Sequence, residues 1–265
     1  MSYVSYRVAD ALVSALPDRA AERAARAVAR AAHALRIPAR ARLERNLERL
    51  GGPELAHARS REAFEHFAMT LTDFLRLGHV SRPELDTRVR LDGEEHLDAA
   101  RRSGRGVIVV SAHVGSWELG AAWLAAHGVR LRVVSRRHPS AAVERFYRRR
   151  RAQWGVHALE GASLWLAAAR ALRSGEWVGV MVDRARPGHR GAPCAWAAAV
   201  ARRTGALVLP AAMRRTGNGR HTLWCGPPQE GAHAATGDTR RALASWLAAS
   251  PEQWCAFTPA PEGIA

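Results

Sequence analysis

Short apolar runs alternate with segments of helical periodicity from about residue 86 onward, and this alternation restricts the fold more than any other feature of the sequence. The candidate strands are 88–91, 106–111, 131–135, 177–182, 207–213 and 221–225, and the helical segments between them are 93–103, 117–127, 141–154, 163–173 and 195–204. Parallel strands need crossover connections, which are usually helices. We therefore predict an α/β fold with a mixed, mostly parallel central sheet flanked by helices.

The first 85 residues have a different pattern and predict a helical N-terminal segment. Valines and leucines recur at helical spacing from Tyr3 until Pro17 ends the pattern, and further helical segments follow up to about Gly78. Two interpretations remain open, because the first two helices could lie in a bilayer interface or could pack on the core. A chain of 265 residues suits one large domain, here 1–265, with 1–85 helical and 86–265 as the α/β core.

The chain carries a formal charge of +16, and every one of its 40 basic residues is arginine. A composition rich in Ala, Arg, Gly and Pro is typical of a GC-rich genome, which raises arginine content for reasons unrelated to function. The charge also favours an anionic partner, since each arginine near an anionic bilayer contributes about 1 kcal/mol. We expect no nucleic-acid partner, because the arginines are dispersed and no nucleic-acid-binding module is recognisable.

Cysteine usage and hydropathy predict the compartment. Cys194, Cys225 and Cys255 are scattered without the spacing of a metal site or a disulfide framework, which is typical of a reducing cytoplasm. No apolar run reads as a spanning helix, and the N-terminus lacks the pattern of a secretory signal. We expect a cytoplasmic protein, peripheral on the inner face of the cell membrane, with no metal.

The segment from Gly104 to Gly120 contains the strongest candidate for chemistry. A buried strand ends before His113, a turn with Gly115 follows, and a helix then begins. Ligands of open α/β sheets collect beyond the carboxyl ends of strands, and a helix start favours negative charge. Glu118 lies in the first turn of that helix, where its carboxylate is expected to reach back and hold the imidazole as a general base. A lone histidine after a strand is more often structural, so the surrounding residues decide the interpretation.

Those surrounding residues carry a family resemblance. The stretch Ser-Ala-His113-Val-Gly-Ser-Trp-Glu118-Leu-Gly resembles the signature of the bacterial lysophospholipid acyltransferase-like superfamily. Within this superfamily it looks like the branch of the lipid A lauroyl and myristoyl acyltransferases and the actinobacterial phosphatidylinositol mannoside acyltransferases. Weaker matches follow in the same order at 89–97, 172–184, 201–211 and 251–254, so that the resemblance covers about residues 85–257.

The resemblance implies a glycerolipid acyltransferase-like fold and transfer of a fatty acyl group. The donor would be acyl-CoA or an acyl carrier protein acting as co-substrate, with no other cofactor. The acceptor would be a hydroxyl or amine of a lipid or glycolipid. His113 would be the base and Glu118 its partner. Seven residues are expected to contact substrate through backbone N–H groups, head-group contacts or an acidic-basic pair. They are Gly115, Ser116, Trp117, Arg136, Arg151, Asp183 and Arg184.

Departures from the family pattern leave the acceptor open. The loop at 186–193 is short and lacks the aromatic residues of many relatives, so the same chemistry on a natural product or amino acid is the alternative. A relative that binds acyl chains without catalysis is a further alternative. The intact His113 and Glu118 argue against it.

Overall fold

The computed structural model describes residues 2–184, 193–230 and 237–258, and its N-terminal part is helical. The helices are α1 (Tyr3–Ala15), α2 (Asp18–Ala34) and α3 (Pro38–Arg76). The Ser2 side chain accepts a hydrogen bond from the backbone N–H of Ser5 and caps α1. Helix α3 is broken at Gly51 and Gly52, where Gly52 has a φ of +86°, so the two helices predicted on either side of this pair are both present.

The rest of the described chain forms the predicted α/β architecture. The strands are β1 (Val89–Asp92), β2 (Val107–Ser111), β3 (Leu131–Val133), β4 (His157–Ala158), β5 (Trp177–Met181), β6 (Leu207–Gly217) and β7 (Arg220–Cys225). They form one seven-stranded sheet in the order β1-β7-β6-β2-β5-β3-β4. Only the β6–β7 pair is antiparallel within the described ranges, which confirms the mixed, mostly parallel sheet.

Seven further helices in the described part of the chain connect or flank these strands. They are α4 (Arg82–Arg88), α5 (Glu94–Arg102), α6 (Trp117–Ala126), α7 (Ala141–Ala152), α8 (Leu164–Arg173), α9 (Pro193–Thr204) and α10 (Asp238–Ala249). A 3₁₀ turn, Pro251–Gln253, follows α10. Five of these helices match the predicted segments within a few residues, whereas α4, α10 and the two-residue strand β4 were not anticipated.

Alternate residues of each central strand face opposite sides of the sheet and build two separate cores. Ile108 and Val110 of β2 join the cluster that contains residues of α8, α9 and α10. Val107 and Val109 join the cluster that contains residues of α5, α6 and α7. Because β2 is buried on both faces, its near-continuous apolar run is typical of a parallel central strand.

Buried charge pairs attach the N-terminal helices to the α/β part. Arg215 of β6 binds Asp73 of α3 and Glu22 of α2. Arg150 of α7 binds Asp10 of α1 and donates to the carbonyl of Leu75. None of the helices within the described ranges has the length and apolar character needed to cross a bilayer.

Candidate active site

His113 and Asp183 meet because their strands are parallel neighbours in register. Ser111, the last residue of β2, lies opposite Met181, the last residue of β5. His113 follows the end of β2 by two residues, and Asp183 follows the end of β5 by two residues. Both side chains therefore lie at the same place at the carboxyl edge of the sheet. Ligand sites of α/β sheets form at this edge.

The imidazole of His113 is bound by the carboxylate of Asp183. The distance from Nδ1 to Oδ1 is 2.8 Å, and the His113 side chain is 16% exposed while that of Asp183 is 1% exposed. Burial opposes ionisation of Asp183, but the charge and hydrogen bond of His113 outweigh it and lower the pKa of Asp183 to about 2. The structure gives Nε2 of His113 no hydrogen-bond partner among the described residues, so this nitrogen is the one available to a substrate.

The second oxygen of Asp183 is also occupied. The indole N–H of Trp254 donates to Oδ2 over 2.9 Å, and Trp254 is 1% exposed. Both oxygens of the buried carboxylate therefore have a donor, which fixes its orientation toward His113.

Glu118 does not reach His113, contrary to the expectation from the sequence. Its carboxylate accepts hydrogen bonds from Nε and Nη2 of Arg151, with the Nε bond at 2.9 Å. Burial alone would lower the pKa of Arg151, but the Glu118 charge and hydrogen bond raise it, so the guanidinium stays charged. The carboxylate of Glu118, five residues after His113, is thus held by α7, because the first turn of α6 faces that helix. Asp183 takes the place that was assigned to Glu118.

The turn between His113 and α6 is held by partners from distant parts of the chain. Gly115 has a φ of +57°, and a Cβ there would lie 2.2 Å from the carbonyl oxygen of Met213, so only glycine fits. Its carbonyl accepts from Oγ1 of Thr70 over 3.1 Å, and its N–H donates to the carbonyl of Gln253 over 3.0 Å. The Gly115 N–H, one of the donors expected to contact substrate, is therefore already bonded within the protein.

Ser116 is buried and anchors the same turn to α3. Its hydroxyl donates to Asp73, which also binds Arg215 and accepts from Nε2 of His221 over 3.1 Å. Burial opposes ionisation of Asp73, but His221 and Arg215 outweigh it and lower its pKa below the ordinary value. Ser116 makes no side-chain cap at the start of α6 because its hydroxyl is used in this cluster.

The start of α6 consequently keeps hydrogen-bond donors next to His113. Among the described residues the backbone N–H groups of Trp117 and Glu118 have no backbone acceptor outside the helix, whereas that of Leu119 donates to Ser116. The ring of Trp117 stands edge-on to the imidazole of His113 with centroids 4.9 Å apart. The positive end of the helix dipole and a half-buried aromatic ring thus lie beside the candidate base.

Of the other arginines expected at the site, one lies near the histidine. Arg184 follows Asp183 directly, donates weakly to the carbonyl of Cys255 over 3.4 Å, and has a buried Nε without a partner in the described part of the chain. Arg136 is exposed on the connection after β3, and no contact supports the role expected for it. The short loop at 186–193 falls almost wholly outside the described residues.

A basic cavity of about 430 Å³ lies against Arg151, at the β3–β4 edge of the sheet. It is lined by Arg132, Arg148, Arg149, Arg151, His157 and Glu160, among others. Arg132 and Arg148 are paired with Glu176 and Glu160, but for Arg149 the described residues include no ion pair. The cavity therefore presents more cationic than anionic groups to solvent.

Cys194, Cys225 and Cys255 are buried, as expected, and burial raises the pKa of Cys225 and of Cys255 to about 12. These thiols therefore stay protonated and unreactive at neutral pH. Across the described ranges no cluster of histidine, cysteine and carboxylate side chains could hold a metal ion.

Comparison with known protein families identifies a relationship over nearly the whole chain. A family model described as "Bacterial lipid A biosynthesis acyltransferase" matches residues 5–260, nearly the whole chain. No curated protein matches the chain.

Proposed function

Because the chain belongs to the family of bacterial lipid A biosynthesis acyltransferases, we propose that it transfers a fatty acyl group from a thioester donor to a hydroxyl or amine of a lipid acceptor, with His113 as general base. Family membership supports an acyltransferase of lipid biosynthesis.

The observation that carries the proposal is the hydrogen bond between Nδ1 of His113 and Oδ1 of Asp183. Asp183 is anionic at neutral pH, so it accepts a hydrogen bond from Nδ1–H of the imidazole and selects the tautomer that carries its proton there. The lone pair of Nε2 is then free to accept a proton. After protonation, the same carboxylate stabilises the imidazolium.

The step is direct acyl transfer. Nε2 of His113 removes the proton of the acceptor hydroxyl or amine as its oxygen or nitrogen forms a bond to the thioester carbonyl carbon. The carbon–sulfur bond of the tetrahedral intermediate then breaks, and the departing thiolate receives the proton from His113. No covalent acyl-enzyme is needed, which agrees with the buried, protonated cysteines.

The tetrahedral intermediate carries a negative charge on the former carbonyl oxygen, which needs donors. The N–H groups of Trp117 and Glu118 at the start of α6 support this role, since they follow the His113 turn and have no backbone acceptor within the described residues. Arg184 is a second source of positive charge beside Asp183.

The basic cavity beside Arg151 supports a donor that carries phosphate. Coenzyme A and the phosphopantetheine arm of an acyl carrier protein share this chemistry, and guanidinium groups bind phosphate well. Within the described residues, Arg149 lines this cavity and forms no ion pair.

We also propose that the protein acts on the inner face of the cell membrane. Val4, Val8 and Leu12 lie four residues apart on α1 and are 68%, 54% and 56% exposed. Such an apolar stripe on a basic protein is typical of a helix that binds in a bilayer interface.

In the direct test, purified protein is incubated with acyl-CoA or acyl carrier protein thioesters as donors. The acceptors are lipid A precursors, other phospholipids, and small molecules with a hydroxyl or amine group. We expect acylated lipid from the wild type and a loss of at least about 10³-fold for His113→Ala, as for removal of a general base. Transfer by a folded His113→Ala variant at the wild-type rate would overturn the assignment. Transfer to small acceptors only would move the function to natural-product or amino-acid acylation.

A further inference from the structure

The C-terminal segment 251–257 passes directly behind the catalytic turn. The N–H of Cys255 donates to the carbonyl of His113 over 2.8 Å, and the N–H of Gly115 donates to the carbonyl of Gln253 over 3.0 Å. Val114 and Trp254 form an antiparallel bridge between these two bonds. The segment thus adds a short piece of sheet to the turn that carries the base.

The same segment is fixed on its other side to β6. The side-chain amide of Gln253 accepts from the N–H of Arg215 over 2.8 Å and donates to the Arg215 carbonyl over 2.9 Å. Gln253 is buried, and so is Arg215. The backbone of Trp254 is therefore held in place from two directions, and its side chain has little freedom to move.

Trp254 uses that fixed position to contact Asp183. Its indole N–H donates to Oδ2 over 2.9 Å, while Oδ1 accepts from His113. Without the indole, Oδ2 would be a buried anionic oxygen lacking a donor within the described residues, and the carboxylate could rotate about its terminal torsion. A tryptophan that only filled the core could donate its indole N–H to any acceptor. Trp254 instead donates to Asp183, the carboxylate that orients His113.

We infer that Trp254 is a positioning residue for the acyl-transfer reaction, which holds the Asp183 carboxylate through Oδ2 so that Oδ1 stays aligned with Nδ1 of His113. The inference rests on the proposed function. Trp254 does not contact substrate; it acts through Asp183.

Replacement of Trp254 by phenylalanine keeps an aromatic ring and removes the donor. We expect kcat to fall on the order of 10- to 100-fold, the range for losing a hydrogen bond to a charged group, while KM stays within about twofold. A carboxylate that turns away from Nδ1 stabilises the imidazolium of His113 less. The acidic limb of the pH profile of kcat/KM should therefore move to lower pH, which lost packing alone would not produce.

Trp246→Phe is the matched control. Trp246 of α10 packs against Trp224, with ring centroids 5.4 Å apart, and under the guanidinium of Arg214. We expect this variant to keep the wild-type kcat and pH profile. If folded Trp254→Phe also keeps both, the inference is overturned while the proposed function stands. If wild type transfers no acyl group, or His113→Ala transfers at the wild-type rate, the proposed function fails instead.

A second measurement covers the case in which Trp254→Phe does not fold. The indole N–H resonance of Trp254 can be followed by NMR in the wild type and in Asp183→Asn and Glu118→Gln. We expect it to shift by more than the other tryptophan indole signals in Asp183→Asn, which changes the acceptor, and to stay within the spread of those signals in Glu118→Gln. A Trp254 signal that does not respond to Asp183→Asn would contradict the inference.

Discussion

At the scale of single residues, the proposed chemistry depends on which ring nitrogen of His113 is occupied. Asp183 binds Nδ1 from the end of the neighbouring strand, and Nε2 has no hydrogen-bond partner among the described residues. A carboxylate in this position selects the tautomer and stabilises the imidazolium that forms during the reaction. Glu118 is bound by Arg151 and makes no hydrogen bond with His113 within the described residues.

Asp183→Asn should therefore be more damaging than Glu118→Gln. The amide at 183 can donate to Nδ1 and favour the wrong tautomer, so we expect kcat to fall by about 10³- to 10⁴-fold with the fold intact. The amide at 118 can still accept from Arg151, and we expect a loss at least about tenfold smaller. Steady-state acyl transfer by both folded variants decides this. An equal or larger loss for Glu118→Gln would return the role of partner to Glu118.

At the scale of elements, the site consists of two strand ends and one helix start held by neighbouring helices. The Glu118–Arg151 pair joins the start of α6 to the end of α7, and both side chains are largely buried, at 10% and 17% exposed. Removing one partner of such a pair leaves an uncompensated buried charge, whereas removing both leaves none.

A double-mutant cycle on this pair should be strongly non-additive. We expect Glu118→Gln or Arg151→Met alone to lower the free energy of unfolding by about 2–4 kcal/mol, somewhat less than for a fully buried pair. The double variant should be no less stable than the worse single variant. Urea denaturation followed by circular dichroism measures all four proteins. Additive losses would mean that the two side chains do not interact, and Arg132→Met, whose partner Glu176 is more exposed, serves as the milder control.

The pattern of elements was predictable from the sequence because it depends on local periodicity. The buried run 107–111 and the helix after Ser116 were both anticipated, as was the position of His113 beyond a strand end. The contact with Asp183 was not, because it depends on β2 and β5 being neighbours, and strand order is not encoded locally. Asp183 was nevertheless a candidate, since an acidic residue just beyond a buried strand is a usable signal.

Other parts of the site carried weaker signals. Trp254 belongs to a recognised closing motif, but nothing in the motif indicates which residue its indole N–H contacts. Thr70 and Asp73 lie on an ordinary amphipathic helix, and only the packing of α3 brings them to the turn. Strand β4 has two residues, too few for any alternation to be visible.

At the scale of the whole molecule, the charge and the exposed apolar side chains suit an anionic bilayer. The formal charge is +16, and the stripe of Val4, Val8 and Leu12 is the longest row of exposed large apolar residues on a single described helix. Insertion of these side chains would add hydrophobic burial to the long-range attraction of the arginines.

Flotation with vesicles tests the membrane proposal. We expect binding to vesicles containing phosphatidylglycerol and weaker binding when salt is raised from about 0.1 M to about 1 M, because screening shortens the range of the charges. Val4→Ser/Val8→Ser/Leu12→Ser should weaken binding further at both salt concentrations. Leu166→Ser, at another exposed leucine on α8, should leave it unchanged. Equal binding by the triple variant and the wild type would exclude α1 as the contact.

The contacts of Asp73 limit which segments of such a protein can be exchanged between relatives. This one carboxylate of α3 binds Ser116 beside the base, Arg215 of β6 and His221 of β7. A chimera that took its first 80 residues from a distant relative would bring a helix whose side chains had not adapted to those three partners. Such an exchange would leave a guanidinium and a hydroxyl buried without their shared acceptor. The N-terminal helices are thus not interchangeable modules, and inheritance should preserve them together with the strands that they support.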